Sequence, residues 1–319
     1  MNLNKLKKLS GDASYRIFFR NKIFKASSVV VYCKKQKKSN LVIYDSINKI
    51  FLKNKLIAPK LIKNGYIKNY IEIEDFGDTT VFQLLKKNNS KKLFYYKKII
   101  LLLNKIQKIK TKKIKTFLNQ DFKIPNYSKK ILLNEANLFL QWYLPKFIIG
   151  KKKIILEKKL SSILKSLLNQ LSYKKKVFVH RDFHVSNLMI TKRGFGIIDG
   201  QDACFGNIAY DLASLIDDAR IKTTKKLKDK IYNEFIKKNN SLDKYKFQND
   251  FEILSVLRNL KIIGIFSRLS KRDKKNKYLK LIPYAWKLIE SRYNNNKKFN
   301  ELKIILEENF PKKIRNYEN

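Results

Sequence analysis

The chain has 319 residues, of which 72 are Lys or Arg and 26 are Asp or Glu, giving a net charge of +46. Apolar residues make up 44% of the sequence, which favours a globular protein with a sizeable core over a disordered chain. Its longest apolar runs are too short to span a bilayer, no signal-like stretch opens it, and its two cysteines form no C-x-x-C pair. We therefore expect a cytoplasmic protein without membrane insertion, disulfides or a zinc framework.

The excess of positive charge is spread along the chain rather than gathered in one segment. Lys stands beside abundant Asn and Ile throughout, a mixture typical of an AT-rich genome at permissive positions. A surface selected to bind a polyanion is expected to be clustered. We therefore interpret the charge as compositional and expect no specific nucleic-acid partner. A basic nucleic-acid-binding protein is the alternative from a different class.

The first 76 residues have the pattern of a small, strand-rich lobe. Segments rich in Val, Ile, Tyr and Phe predict strands at 16–19, 28–33, 66–67 and 70–73. Apolar residues at helical spacing predict one helix over 41–55, which stops before Ala58-Pro59. A turn at Lys68-Asn69 separates the last two strands.

From residue 77 onward the pattern changes to long helices. Helical apolar spacing occurs at 81–87, 91–108, 128–139, 156–171, 225–238, 247–269 and 278–290. Between the fourth and fifth of these, two β-like runs at 188–190 and 196–198 predict a hairpin around Lys192-Arg193-Gly194. We therefore predict an α+β chain with two lobes. Residues 1–76 form a β-rich lobe for the nucleotide, and residues 77–319 form a larger helical lobe that carries the substrate pocket.

One segment carries the chemistry, running from Val179 to Ile190 and followed by Ile198-Asp199. It has the form H-x-D-x-x-x-x-N and then I-D. Phosphoryl transfer requires a carboxylate that orients the attacking hydroxyl, and oxygen ligands that hold Mg²⁺ against the phosphates. Asp182 fits the first role, and Asn187 and Asp199 fit the second. The spacing therefore predicts catalysis rather than a loop in which Asp and Asn only cap turns.

Both histidines of the chain, His180 and His184, fall inside this segment. Their i, i+4 spacing would suit a metal pair on a helix. The strand-like residues 177–179 lead into the segment, however, and indicate a loop. We therefore interpret His180 as structural support that hydrogen-bonds the backbone, and His184 in the same way.

The segment resembles the catalytic loop of the aminoglycoside phosphotransferases and related kinases, a branch of the bilobal protein-kinase-like fold. Five further pieces occur in the order seen in one subgroup: Gly11-Asp12-Ala13-Ser14-Tyr15-Arg16, Glu74-Asp75-Phe76-Gly77-Asp78, Gln141-Trp142-Tyr143-Leu144, Asp199-Gly200-Gln201-Asp202-Ala203 and Arg258-Asn259-Leu260-Lys261. Over nearly its whole length the chain is similar to the cell-wall amino-sugar kinases, which phosphorylate the anomeric hydroxyl of N-acetylmuramate and N-acetylglucosamine. The catalytic loop is typical of the superfamily, whereas G-D-A-S and D-x-Q-D-A are more typical of the subgroup.

The resemblance implies an ATP- and Mg²⁺-dependent sugar kinase that acts in peptidoglycan recycling. It implies ATP contacts for Gly11, Asp12, Ser14 and Glu74, with an ordinary turn as the alternative for the segment that contains the first three. Kinases of this fold usually carry a Lys on the third strand, paired to an acid on the next helix, although the subgroup often lacks this Lys. Lys34 and Asp45 are the candidates for that pair, and the alternative for Lys34 is a solvated strand end.

The resemblance also implies sugar contacts for Gln141, Trp142 and Arg258, with core packing as the alternative for Trp142. Asp202 is expected near the substrate or as a structural residue, and Asp211 as structural support of the catalytic loop.

Two departures from the family pattern affect the metal loop and the choice of sugar. Gly200 stands where many relatives have Phe, a change expected to loosen the metal loop. Gln141 stands where the subgroup often has Glu, which leaves the exact sugar open. Kinases for choline, a thiosugar or an aminoglycoside are the alternatives within the fold. An anionic acceptor such as N-acetylmuramate suits the basic chain better than a cationic one.

Overall fold

The computed structural model describes residues 6–9, 16–23, 26–88, 90–294 and 296–316. The chain forms two compact units, one made of Met1–Pro125 and Val177–Phe205, the other of Asn126–Lys176 and Gly206–Asn319. An antiparallel sheet lies in the first unit and helices make up most of the second, so the α+β prediction is confirmed. The lobe boundary after residue 76 stays a prediction.

The strands are short and mostly antiparallel. In chain order they are β1 Lys7–Lys8, β2 Arg16–Ile23, β3 Ala26–Cys33, β4 Leu61–Gly65, β5 Tyr70–Glu74, β6 Lys113–Lys115, β7 Asp121–Lys123, β8 Val177–Val179, β9 Leu188–Thr191, β10 Gly194–Ile197 and β11 Cys204–Gly206.

The α-helices carry most of the remaining chain. They are α1 Ser39–Lys53, α2 Val81–Lys87, α3 Lys92–Gln107, α4 Lys129–Ala136, α5 Gly150–Asn169, α6 Tyr210–Ile216, α7 Lys225–Lys238, α8 Lys244–Asp273, α9 Ile282–Tyr293, α10 Asn300–Asn309 and α11 Lys312–Asn316. Among the described residues, no helix combines the length and the apolar character that a membrane crossing requires.

The main sheet of the first unit has the strand order β1-β2-β3-β5-β4. Its central strand β3 pairs antiparallel with β2 and β5, so the row Val29–Val31 is buried between its neighbours. On one face of the sheet, Val29 and Val31 pack with Ile71 and Ile73 in one cluster with Leu41 and Tyr44 of α1. The β-branched residues favour the pleated sheet, and the helix covers one face of it.

The strand predicted at 66–67 is wrong. Residues Tyr66–Lys68 form a 3₁₀ turn, and the partner of β5 is the preceding segment Leu61–Gly65. The chain reverses at Asn69, whose φ of 63° lies in the left-handed region that Asn tolerates. Since β4 lies at the sheet edge, residues 62–64 are exposed and include Lys and Asn, which hid the strand pattern in the sequence.

In the second unit, the helix predicted at 128–139 is interrupted. α4 ends at Ala136, and residues Phe139–Tyr143 form a π-helical turn. The long helix α8 packs against this turn at Gly264, where an added Cβ would lie 2.3 Å from the carbonyl carbon of Leu138. A glycine is therefore needed for the two backbones to approach this closely.

The hairpin of β9 and β10 is anchored to the rest of the first unit by backbone hydrogen bonds. The N–H of Ile197 donates to the carbonyl of Ile57 at 2.7 Å, and the N–H of Ile190 donates to that of Thr79 at 2.8 Å. The ring of Phe76 lies against Gly196, where an added Cβ would be 2.6 Å away. These contacts fix the two loops that flank the hairpin, 180–187 and 198–202.

Candidate active site

The loop after β8 is closed by hydrogen bonds to the backbone of Asp182. The N–H of His184 donates to the Asp182 carbonyl at 2.9 Å, and the side-chain amide of Asn187 donates to the same carbonyl at 3.0 Å. The N–H of Asn187 donates to the carbonyl of His184 at 2.9 Å. Asp182 and Asn187 are therefore held in a fixed relation, while the Asp182 side chain stays partly exposed.

The hairpin brings Asp199 to the same place. Leu188 pairs with Ile197, and one step further the N–H of Ile198 donates to the carbonyl of Asn187 at 3.1 Å. Asp199 follows directly, with a φ of 63°, and Arg181 on the facing loop has a φ of 72°. Non-glycine residues in the left-handed region carry a conformational cost and concentrate at functional sites.

His180 is hydrogen-bonded to the segment that carries Asp199. It is fully buried, and its Nε2 lies 3.1 Å from the carbonyl oxygen of Ile198, so Nε2 carries the proton and donates it. Its ring stacks on Phe51 of α1 at 6.0 Å between centroids and 9° between planes. Burial lowers the pKa of His180, which keeps the imidazole neutral. This geometry suits the support role predicted for it.

The donor set of Asn187 and Asp199 fits a magnesium ion. Asn187 uses its amide N–H on the Asp182 carbonyl, and its amide oxygen takes no part in that bond. The Asp199 carboxylate keeps 38% of its side-chain surface exposed. Among the described residues no group of three His, Cys, Asp or Glu side chains is placed to hold a metal. An amide oxygen and one carboxylate, completed by phosphate oxygens and water, match the preference of Mg²⁺.

The pKa of Asp199 is affected by one neighbouring cation and two neighbouring carboxylates. Burial raises its pKa, Arg16 lowers it, and the neighbouring carboxylates Asp182 and Asp202 raise it, so the net direction is upward. The Nη2 of Arg16 donates to its Oδ1 at 2.8 Å. A cation bound at this carboxylate would favour its ionised form.

Gly200, which departs from the family pattern, is tightly packed. An added Cβ would lie 2.6 Å from the Phe51 ring and 3.1 Å from Ile47. The space that a larger side chain at 200 would need is thus filled from α1. The packing argues against the loosened metal loop that the departure suggested.

Residues after Asp199 line a cavity of about 340 Å³ in the first unit. Its polar lining is Lys123, Arg181, Gln201 and Asp202, and its apolar lining is Ile43, Phe122 and Pro125. Asp202 is exposed, accepts from Gln201 at 2.9 Å and faces Arg181 at 3.7 Å. The side chain of Lys123 makes no ion pair or hydrogen bond with the residues described here. The volume is in the range of small-molecule sites.

The residues predicted to contact ATP are placed by the structure only in part. Gly11, Asp12 and Ser14 lie outside the described residues. Lys34 is exposed just beyond β3, and Asp45 is buried and paired to Lys49 at 3.2 Å, so the expected Lys–acid pair is not formed. Glu74 ends β5 and forms an ion pair with Arg193 of the hairpin turn.

Two arginines on β2, Arg16 and Arg20, have no role assigned from the sequence. Arg16 bonds Asp199 of the predicted metal site, whereas Arg20 bonds carboxylates outside it. Both are buried, and Arg20 binds Asp78 at 2.7 Å and Asp75 at 2.6 Å. These two ion pairs fix the segment that follows β5, which contains Asp75 and Asp78. The signal that would have found both is their type, because only ten of the 72 basic residues are Arg.

The remaining predicted residues belong to the second unit. Gln141 is exposed and Trp142 half-buried in the π-helical turn, while Arg258 is buried in α8, which packs on that turn. The Nη1 of Arg258 has no hydrogen-bond partner among the described residues. Asp211 is fully buried at the start of α6. Their roles stay predictions.

Comparison with known proteins identifies the family. The profile of the phosphotransferase enzyme family matches residues 95–236. The N-acetylmuramate/N-acetylglucosamine kinase of Neisseria meningitidis serogroup B is 30% identical over 283 residues, covering 86% of this chain and 81% of that protein. The kinase of the same name from Pseudomonas aeruginosa is 31% identical over 53% of this chain and 52% of that protein.

Solved structures support the same fold. An ADP-bound aminoglycoside phosphotransferase APH(2'')-Ib superposes with a TM-score of 0.59 at 14% identity, covering 92% of this chain and 94% of that one. A choline kinase from Streptococcus pneumoniae superposes with a TM-score of 0.62 at 12% identity, covering 90% and 93%. The bilobal kinase-like fold expected from the sequence is thereby confirmed. The chain belongs to the family of the N-acetylmuramate/N-acetylglucosamine kinases among the phosphotransferase enzymes, and it is a small-molecule kinase.

Proposed function

We propose that this kinase transfers the γ-phosphoryl group of ATP to the anomeric hydroxyl of N-acetylmuramate or N-acetylglucosamine. The observation that carries the proposal is the fixed cluster of Asp182, Asn187 and Asp199, in a chain 30% identical to a kinase named for these two sugars. The fold neighbours include proteins solved with ADP and with AMP-PNP, which supports ATP as the donor.

Asp182 would supply the carboxylate that orients the acceptor. In the reaction, the C1 oxygen forms a bond to the γ-phosphorus and the bond from that phosphorus to the β,γ-bridging oxygen breaks. The hydroxyl proton is accepted by Asp182, and the products are a sugar 1-phosphate and ADP. An anomeric hydroxyl is more acidic than an ordinary alcohol, so a carboxylate is an adequate base.

Asn187 and Asp199 are the residues that would hold Mg²⁺. The ion supplies neutralisation of the charge on the β- and γ-phosphates. The chain itself supplies rigidity: the Asn187 amide is tied to the Asp182 carbonyl, and Ile198, beside Asp199, is tied to Asn187. Positioning of this kind provides much of the catalysis in phosphoryl transfer.

The cavity beside the loop supports an amino-sugar acceptor. Its apolar side, with Ile43, Phe122 and Pro125, offers contact for an N-acetyl methyl group, and its polar side begins at Arg181, the neighbour of Asp182. Lys123 adds a cation without an ion-pair partner among the described residues, which favours an acceptor that carries a carboxylate, such as N-acetylmuramate. A sugar 1-phosphate of this kind suits peptidoglycan recycling in the cytoplasm, where ATP is available.

An acceptor screen tests the proposal. ADP release would be measured with N-acetylmuramate, N-acetylglucosamine, glucose, choline, a thiosugar and kanamycin, and ³¹P NMR would locate the new phosphate. We expect turnover with the two N-acetyl sugars at C1, slow turnover with glucose, and none with kanamycin, because a site that hydrogen-bonds the N-acetyl group discriminates against sugars that lack it.

The matched control is the methyl glycoside of each active sugar, in which C1 is blocked. It should not be phosphorylated. A methyl glycoside that reacts as fast as the free sugar would overturn the anomeric assignment. Turnover of choline or kanamycin alone would move the chain to another acceptor class within the same fold.

A further inference from the structure

Arg16 is a buried cation that bonds Asp199, one of the two residues of the predicted metal site. Its side chain is 4% exposed, and its guanidinium lies 4.9 Å from the centroid of Tyr44 and 5.9 Å from that of Phe18. Its Nη2 donates to Oδ1 of Asp199 at 2.8 Å. Because the rings of Tyr44 and Phe18 hold the guanidinium plane, the charge is fixed in place rather than mobile on a flexible stem.

The ion pair is open on the side of the carboxylate. Asp199 keeps 38% of its side-chain surface exposed, whereas Arg16 is almost fully enclosed. Phosphates that meet a metal at Asp199 would therefore come within reach of the guanidinium that bonds the same carboxylate. Arg binds phosphate oxygens through two parallel N–H groups, a geometry that a fixed fork favours.

The strand that usually supplies a phosphate-binding lysine does not supply one here. The last residue of β3, Cys33, pairs across the sheet with Arg16 of β2. Burial raises the pKa of the Cys33 thiol, and the nearby charge of Arg16 offsets part of that rise. Lys34, the next residue, is exposed and has no ion pair among the described residues. A fixed cation thus stands on the neighbouring strand, level with the end of β3.

We propose that Arg16 is the residue that binds the phosphates of ATP, in place of the third-strand lysine. The inference rests on the proposed function, since it requires ATP to bind at Asp199. A purely structural Arg16 is the competing explanation, and it makes a different prediction: loss of the guanidinium would then lower the stability without a preference for phosphorylated ligands.

The experiment compares the affinity for MgATP with that for adenosine, measured by calorimetry. Removal of a charged hydrogen-bond donor should weaken MgATP binding about tenfold or more, and adenosine, which has no phosphate, should bind as before. We expect this result for Arg16→Gln. The conservative Arg16→Lys should recover part of the lost affinity, because it restores the charge but not the planar fork.

Arg20→Gln is the matched control. Arg20 lies on the same strand, is 7% exposed and also forms ion pairs, but with Asp75 and Asp78 rather than Asp199. It should lower the melting temperature and leave the ratio of ATP to adenosine affinity unchanged. The proposal is overturned if Arg16→Gln keeps the wild-type ratio, or if Lys34→Gln alone loses MgATP affinity.

A second measurement covers the case in which Arg16→Gln does not fold. In the wild-type protein, the ¹⁵Nε resonance of Arg16, assigned by its absence in Arg16→Lys, should shift on addition of MgATP and not of adenosine. No shift with MgATP would overturn the proposal. A wild-type protein that binds no MgATP at all would instead refute the proposed function.

Discussion

Asp182 is predicted to be the orienting base of the kinase mechanism. Its backbone carbonyl is bonded by both His184 and Asn187, so an isosteric change leaves the loop in place. We therefore expect Asp182→Asn to lower kcat by about 10²-fold or more while MgATP affinity stays within a factor of two. Steady-state kinetics with N-acetylmuramate and calorimetry measure the two quantities.

The control for Asp182 is Asp229→Asn. Asp229 is exposed on α7 of the second unit and lines neither the loop nor the cavity. Its replacement should leave kcat unchanged. A near-wild-type turnover of Asp182→Asn would assign the base to another residue.

Gly200 provides a test of the packing under the metal loop. Its backbone does not require a positive φ, so only space limits the residue at this position. Gly200→Ala would force a Cβ to within 2.6 Å of Phe51, and overpacking of this kind costs about 1–3 kcal/mol. Chemical unfolding of Gly200→Ala should show this loss of stability.

The partner variant is Phe51→Leu, which frees part of that space. In the double-mutant cycle, the two changes together should cost at least about 0.5 kcal/mol less than the sum of the single costs. Additive effects would mean that Phe51 does not determine the choice of glycine.

At the scale of single residues, the sequence revealed the loop but not its charges. The spacing of Asp182, Asn187 and Asp199 is local, so a motif captures it. Arg16 is 183 residues from Asp199 along the chain, and although both belong to pieces typical of the subgroup, their spacing does not predict a contact. The contact depends on the place of β2 in the main sheet and on the anchoring of the β9–β10 hairpin to Ile57.

At the scale of the elements, a buried carboxylate joins four parts of the second unit. Asp217 lies at the end of α6. Its carboxylate is bonded by the Lys228 ammonium of α7 at 2.7 Å, the Ser255 hydroxyl of α8 at 2.6 Å and the Arg292 guanidinium of α9 at 2.8 Å. Burial alone would raise the pKa of Asp217. The two cations and the hydroxyl outweigh it, so the pKa lies well below its ordinary value.

This cluster predicts a dependence of stability on pH. Because the folded pKa is depressed, the ionised form stabilises the protein fully above the unfolded pKa of about 4, and the contribution is lost as the pH falls towards the folded value. Asp217→Asn leaves two cations without their carboxylate and should cost about 3–5 kcal/mol at pH 7. The difference from wild type should shrink as the pH falls below about 4.

Asp273→Asn is the matched control. Its carboxylate also has a lowered pKa, through Arg272, but it lies at the surface. The melting temperature of the Asp273→Asn variant should follow that of the wild type at every pH, since exposed ion pairs contribute little to stability. A gap between Asp217→Asn and wild type that does not narrow in acid would contradict the cluster's role.

The elements themselves were predicted where apolar periodicity is strong. α2 and α7 have the predicted bounds, 81–87 and 225–238, because both turn one apolar face to the core and a Thr caps each of them. β4 was missed because Lys and Asn occupy its exposed edge. The π-helical turn at Phe139–Tyr143 was also missed, since it depends on the close approach of α8 at Gly264, which local sequence does not encode.

At the scale of the whole molecule, the two kinds of basic residue are used differently. Ten Arg stand among 72 basic residues. Eight of these Arg form ion pairs with carboxylates in the described structure: Arg16, Arg20, Arg181, Arg193, Arg220, Arg272, Arg292 and Arg315. Most Lys remain at exposed positions along the chain. The arginines therefore form ion pairs that stabilise the fold and the predicted site, whereas the excess of lysines accounts for the net charge.

That division predicts how the protein behaves towards nucleic acid. A chain of net charge +46 attracts DNA or RNA at low salt through counterion release, whatever its function. We expect two duplexes of unrelated sequence to bind equally at about 50 mM salt, and both to dissociate near 150 mM, with log K falling linearly against log salt. Fluorescence anisotropy measures both. Selective binding of one duplex at 150 mM would mean that the lysines form a nucleic-acid site, because counterion release alone carries no sequence preference.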